Sequence, residues 1–172
     1  IDIMDRNLYE GANDCRWWAL TSYFREAFDD YNSLIDKKEE ITSILQYING
    51  LYTVYTNILV FDKNGKVIAV SNKNNEYLIG KILTQEWVEK TLRLSDTSKY
   101  SVSKFEKSAL YNNESTYIYS SAIRSFNDEK KITGGIAVIF DSTPQFNSML
   151  DECLPKDKKK NKKQLLEAKQ DY

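Results

Sequence analysis

The sequence predicts an α+β domain in which helices come first and an antiparallel sheet follows. Three observations carry that prediction. Apolar residues recur at helical spacing through the first third of the chain, the period becomes strand-like at Asn57, and Asn64-Gly65 sits between two short apolar runs as a hairpin signal. The 172 residues suit one domain of ordinary size, and 41% hydrophobic with 28% charged residues is the composition of a folded chain.

The first helix is predicted over residues 5–31, where Trp17, Leu20, Phe24, Ala27 or Phe28, and Tyr31 fall on one face. A second helix opens at Ser33-x-x-Asp36, an imitation of a capping box, and places Ile41, Leu45, Ile48, Leu51 and Tyr55 together. Asn49-Gly50 is expected to bend or stop it. Ile58-Leu59-Val60-Phe61 then reads as a strand, and residues 66–71 as its partner. Asp62-Lys63-Asn64-Gly65 joins the two, the Asn-Gly pair supplying the positive φ angles of a tight turn. Thr84 is placed as the cap of a helix with Trp87, Val88, Thr91 and Leu92 on its inner side. Three further strands follow at residues 99–107, 116–125 and 133–141, the last two joined by the polar turn Asn127-Asp128-Glu129-Lys130. Alternation on the fourth strand sets Tyr117, Tyr119, Ser121 and Ile123 on one face and Ile118, Ser120 and Ala122 on the other, with Arg124 ending the latter. Pro144 starts a last helix over 145–153, and six lysines crowd residues 156–163. The organisation predicted is a helical region 1–56, a five-stranded unit 57–154, and a lysine-rich tail 155–172 that reads as a linker or a solvated helix.

Composition narrows the function. Histidine is absent, which removes the commonest general base and the commonest transition-metal ligand. Two distant cysteines, Cys15 and Cys153, do not make a structural zinc site and are expected to be free thiols. No phosphate loop, dinucleotide glycine pattern or nucleophile elbow occurs, and the acidic pairs Asp29-Asp30 and Glu39-Glu40 read as solvent-facing. The expectation is a non-enzyme without cofactor or metal. With 24 basic and 25 acidic residues there is no whole-chain field to attract nucleic acid. The chain opens at Ile1 without an apolar leader and has no run long enough for a membrane helix, so it reads as a portion of something larger.

From Asn57 to Asp141 the sequence resembles a Cache domain, the PAS-like sensor unit of bacterial chemoreceptors and sensor kinases. The residues that carry the resemblance are Asp62-x-Asn64-Gly65 with Val67-Ile68-Ala69 and Ser71, Ile79-Gly80-Lys81 leading to Trp87, the Tyr100 strand, and Gly134-Gly135-Ile136-Ala137-Val138-Ile139-Phe140-Asp141. Upstream, Asp5-Arg6-Asn7-Leu8-Tyr9-Glu10 and Asp14-Cys15-Arg16-Trp17-Trp18-Ala19 are similar to the helix before such a domain in some methyl-accepting chemotaxis proteins.

The resemblance implies a small molecule over the concave face of the sheet, beneath the Trp87 helix. In amino-acid sensors of the family an arginine and an aromatic hold the ligand carboxylate, while a tyrosine, an acid and a terminal aspartate hold its amino group. Trp87, Tyr100 and Asp141 match the aromatic, the tyrosine and the final aspartate; Gln85 stands where the arginine would be, Val88 in place of a second aromatic, and Val102 in place of the strand acid. Without a charge-assisted bidentate grip, a free α-amino acid in the usual mode is not expected. The candidate site is Gln85, Trp87, Tyr100, Tyr117, Tyr119 and Asp141, with the tyrosines suited to a neutral or weakly polar ligand. The resemblance further implies a ligand sensor for chemotaxis, a homodimer formed by the N-terminal helices, and an extracytoplasmic position, with a stand-alone binding module or a kinase or cyclase input as the other functions and the cytoplasm as the other location.

Overall fold

The structure, a computed structural model, describes residues 3–143, with side chains from Glu10 onward. The predicted helix at 145–153, Cys153 and the tail 155–172 lie outside the described residues. The elements run α1 (Ile3–Ala19), α2 (Ser22–Ala27), α3 (Tyr31–Asp36), α4 (Lys38–Leu51), β1 (Tyr55–Asp62), β2 (Val67–Val70), α5 (Glu86–Thr91), β3 (Ser101–Val102), β4 (Glu106–Ser108), β5 (Glu114–Thr116), β6 (Ile118–Arg124) and β7 (Ile132–Phe140). The main sheet has the order β2-β1-β7-β6-β3, every pairing antiparallel, and β4 with β5 forms a separate ribbon.

The helices differ from the sequence expectation in several respects. The helix expected over residues 5–31 is divided into α1 and α2 and the one expected from Ser33 into α3 and α4, because Thr21 turns extended before α2, and Asp30 turns extended and accepts from the Ser33 amide at 3.2 Å to start α3. The resulting bends re-aim the predicted stripe. Phe24, Ala27 and Phe28 are buried, but Trp17 is 76% exposed, Leu20 points outward too, and Trp18 takes the inner position. Trp18 meets Tyr52 and Tyr55 edge-on, at 5.4 and 6.1 Å between ring centres. In α4, Ile41 and Leu45 are fully buried as their spacing requires; the helix runs past Gly50 to Leu51, which is exposed, and Tyr55 already belongs to β1. The Asn49 amide, donating to the Tyr55 carbonyl at 2.7 Å, joins the helix end to that strand.

The hairpin forms where predicted. Gly65 has φ +83°, while Asn64 keeps a negative φ, because the turn is closed by Gly65 N–H to the Asp62 carbonyl with a bulge between Val60 and Phe61. The Asp62 carboxylate accepts from the Asn64 and Lys66 amides and fixes the loop. Helix α5 is capped at Gln85 instead of Thr84, and no side chain bonds its first turn. The strand predicted over 99–107 is divided: two residues join the main sheet and three turn away to the ribbon.

Both faces of the sheet are covered. Ile58, Val60, Tyr119, Ile123, Ile136, Val138 and Phe140 face the α1–α4 layer; Leu59, Phe61, Val67, Ile118, Ala137 and Ile139 face α5, with Leu83, Leu110 and Tyr111. Gly134-Gly135 belongs to this arrangement for a steric reason. A Cβ at Gly135 would lie 2.4 Å from the Phe61 ring, and one at Gly134 only 2.3 Å from the Phe61 carbonyl.

Candidate ligand site

On the α5 face, Trp87 is almost fully buried and stands edge-on to Phe61 at 6.0 Å, and the Phe61 ring lies across Gly135. The middle of this face is therefore filled by the protein's own aromatics, where the sequence reading expected a hollow. A cleft of about 150 Å³ opens at the sheet edge, between α5, β3 and β4. Gln85 and Trp87 wall one side, Ser103, Lys104, Lys107 and Ser108 the other, and Ile118 belongs to the floor. The Gln85 side-chain oxygen is buried without a hydrogen-bond partner, so an N–H or O–H donor brought there would satisfy it. Lys90, Lys104 and Lys107 line the cleft together with Glu86 and Glu106, and Lys90 is paired with Glu86, so the mixed charges suit a strongly dipolar group.

The six predicted site residues do not converge. Gln85 and Trp87 meet at this cleft. Tyr119 is buried on the opposite face, its ring against α1 at Gly11 and beside Cys15 in the core. Tyr117 packs toward the same core, 4.9 Å from the Phe105 ring. Tyr100 is half-exposed at the β3 edge, 5.9 Å from Tyr119, with the Arg16 guanidinium 5.6 Å above its ring; it also borders a broad depression of about 480 Å³ with Lys90, Arg93 and Leu94. Asp141 lies just past β7, where Tyr111 O–H donates to its carboxylate at 2.5 Å. The alternation of Tyr117 and Tyr119 was read correctly, but it turns them toward the helices and away from α5.

Three groups of polar residues escaped the sequence reading. Arg16 of α1 donates to the Ser98 carbonyl at 2.8 Å and to the Asn13 side chain, tying α1 to the segment before β3. Tyr55 O–H donates to the Asp14 carboxylate at 2.7 Å; burial and that bond hold the Tyr55 hydroxyl above its usual pKa, while burial first, and Glu10 after it, raise Asp14 from its ordinary value against the lowering effect of the Tyr55 bond. Tyr111 ends a 3₁₀ turn, Ala109–Tyr111, in which the Ser108 hydroxyl accepts from the Leu110 amide, and precedes Asn112 and Asn113, both left-handed at φ 52° and 59°. The adjacent asparagines were the available signal, since Asn tolerates that conformation. Among the described residues no group of three or more His, Cys, Asp or Glu could hold a metal ion, and no helix is long and apolar enough to cross a membrane.

With this geometry established, comparison with known proteins is informative. None of the curated proteins matches in sequence. Among solved structures, the V. cholerae histidine kinase DctB sensor domain superposes with a TM-score of 0.65 at 18% identity, covering 83% of this chain and 52% of that one. The E. coli DcuS sensor domain gives 0.63 at 16% identity, covering 86% and 98%. The ligand-binding domain of the Campylobacter jejuni chemoreceptor Tlp3, solved with 4-methylisoleucine, gives 0.60 at 19% identity, covering 83% and 54%. The chain thus spans about half the length of the DctB and Tlp3 domains, and at these identities the likeness concerns the fold. The family model of the WalK sensor protein kinase Cache domain matches residues 40–139, which include α4 but for its first two residues, the whole central sheet but its last residue, and α5. The chain therefore belongs to this Cache family and is a sensor domain of PAS-like fold.

Proposed function

We propose that the chain is the input domain of a bacterial chemoreceptor and that its ligand is a small polar molecule held in the edge cleft between α5, β3 and β4. The single observation that carries this reading is the cleft itself: an opening of about 150 Å³ beside a sheet face otherwise filled, with a buried, unpartnered Gln85 oxygen in its wall. Its size suits a ligand of few heavy atoms, below the usual range for drug-sized guests. Trp87 supplies an apolar wall, Gln85 an acceptor, and Lys104 and Lys107 positive charge for an acidic group. The chemoreceptor reading draws on the α1 sequence around Asp14-Cys15-Arg16-Trp17-Trp18, and extracytoplasmic placement follows the resemblance. A kinase input is the second reading, favoured by the sensor-kinase description of the matching family. The gene sequence downstream separates the two: a methyl-accepting transmitter supports the first, a kinase module the second.

A thermal-shift screen of amino acids, organic acids, amines and purines tests the site. Ligand at a hundred times its dissociation constant adds roughly 2.7 kcal/mol, a shift of several degrees for a chain this size. The expected hit loses its shift in Lys104→Ala/Lys107→Ala and in Gln85→Leu. A hit indifferent to all three changes, or no hit at all, refutes the cleft as the ligand site. The outward faces of Trp17 and Leu20 on and just after α1 further support a homodimer through the N-terminal helices.

A further inference from the structure

We infer that Tyr111 is a positioning residue that carries the state of the edge cleft to the chain leaving β7. This rests on the cleft proposed above, but not on the identity of any ligand. The route is short and continuous. Ser108 and Ala109 belong to the cleft wall, the Ser108 hydroxyl accepts from the Leu110 amide, and the same 3₁₀ turn ends on Tyr111. Tyr111 is buried, and its ring packs in the core beneath α5. Its hydroxyl donates to Asp141 at 2.5 Å, accepts from the Thr143 amide at 3.2 Å, and lies 3.2 Å from the Thr143 hydroxyl.

The exit segment is bound to the ribbon by more than this one group. Thr143 O–H donates to the Glu114 carboxylate at 3.1 Å, Ser142 O–H donates to the Ser115 carbonyl at 2.5 Å, and Thr116 O–H reaches the Phe140 carbonyl. On its other side the Asp141 amide donates to the Val54 carbonyl at 2.7 Å, next to the start of β1. The ribbon β4–β5 is therefore a lever with one arm on the cleft and the other on residues 141–143. Among the described residues, Tyr111 alone joins the turn at the cleft wall by hydrogen bonds to both Asp141 and Thr143. Two consecutive left-handed asparagines behind it fix its direction, a backbone state that costs free energy and persists only where surrounding contacts hold it. A change at Ser108 or Ala109 rotates that turn, and Tyr111 must either move the exit segment or release it.

The test replaces the unknown ligand by a tethered one. In the full chain carrying Cys153→Ser, Lys107→Cys is alkylated with a bimane reagent that fills the cleft; Cys15 is buried and stays unmodified. Amide exchange at Ser142 and Thr143 is read by mass spectrometry, in this background and with Tyr111→Phe added. The label is expected to change exchange there by about five-fold or more when Tyr111 is intact, and by less than about two-fold with Tyr111→Phe, while β1 and β2 keep their protection. Tyr111→Phe retains the ring and so the core. Should it lower the melting temperature too far, Thr143→Val removes part of the same network and is read in the same way. No response to the label with Tyr111 intact, or an undiminished response in both variants, overturns the inference. A ligand screen without hits alongside a Tyr111-dependent response would refute the cleft as a ligand site and leave this coupling standing.

Discussion

At the scale of single residues, the structure explains positions by what a changed atom would meet. Gly135 faces the Phe61 ring so closely that an added methyl group would overlap it at 2.4 Å. Gly135→Ala should therefore destabilise the fold by about 1–3 kcal/mol through overpacking, seen as a lower denaturation midpoint with unchanged slope; an unaltered midpoint would show that Phe61 yields freely. Cys15 is fully buried, and burial pushes its thiol up to about 12. In a Cys153→Ser chain it should react with Ellman's reagent at least about a hundred-fold more slowly than free cysteine at mildly alkaline pH, and fully once denatured. Rapid labelling of the native chain would contradict its burial. The fate of Tyr117 and Tyr119 also belongs to this scale. Their alternation was legible, but two sets of alternate residues are equivalent until something docks on one of them.

At the scale of elements, α1 is held to the sheet by polar contacts that no periodicity announces. Asp14 sits at that junction, with Tyr55, Glu10 and Arg16 as the charged or titratable groups nearest it. Its folded pKa is raised, so the folded state favours the protonated carboxyl. That contribution to stability is complete below the unfolded value of 3.8 and is lost as pH rises through the folded value. Asp14→Asn keeps an acceptor for the Tyr55 hydroxyl and removes the loss. Its stability relative to the unsubstituted chain should be higher near pH 7 than near about pH 3.5, measured by urea unfolding at both. Parallel pH profiles would mean that Asp14 is not desolvated. The breaks after Ala19 and Phe28 show why the first helix was read as too long: a stripe of apolar residues at three and four spacing continues across short helices as well as along one.

For the whole molecule, the exposed Trp17 and Leu20 mark a face of the helical layer that no other described residue covers. If this is the dimer surface, sedimentation should show association rising with concentration, and Trp17→Glu should abolish it with little change in melting temperature. A monomer at all concentrations would remove the dimer from the reading. The Phe61–Trp87 pair fills the middle of the α5 face, and the edge cleft lies next to the ribbon that grips the end of β7, so the proposed ligand site and the proposed output segment meet at one corner of the domain.

The sequence by itself determined the helices-then-sheet order, the Gly65 turn, the packed positions Ile41 and Leu45 of α4 and Trp87, Val88 and Thr91 of α5, and the family, because these rest on local period, turn chemistry and motif order. The tertiary structure alone decided which face of β6 meets the helices, where the first helix breaks, and that the strand after α5 divides between two sheets. It also decided that Asp141 is engaged by Tyr111, thirty residues earlier in the chain. Each of these depends on contacts between distant segments, and strand alternation is indifferent to which side of the sheet a helix occupies.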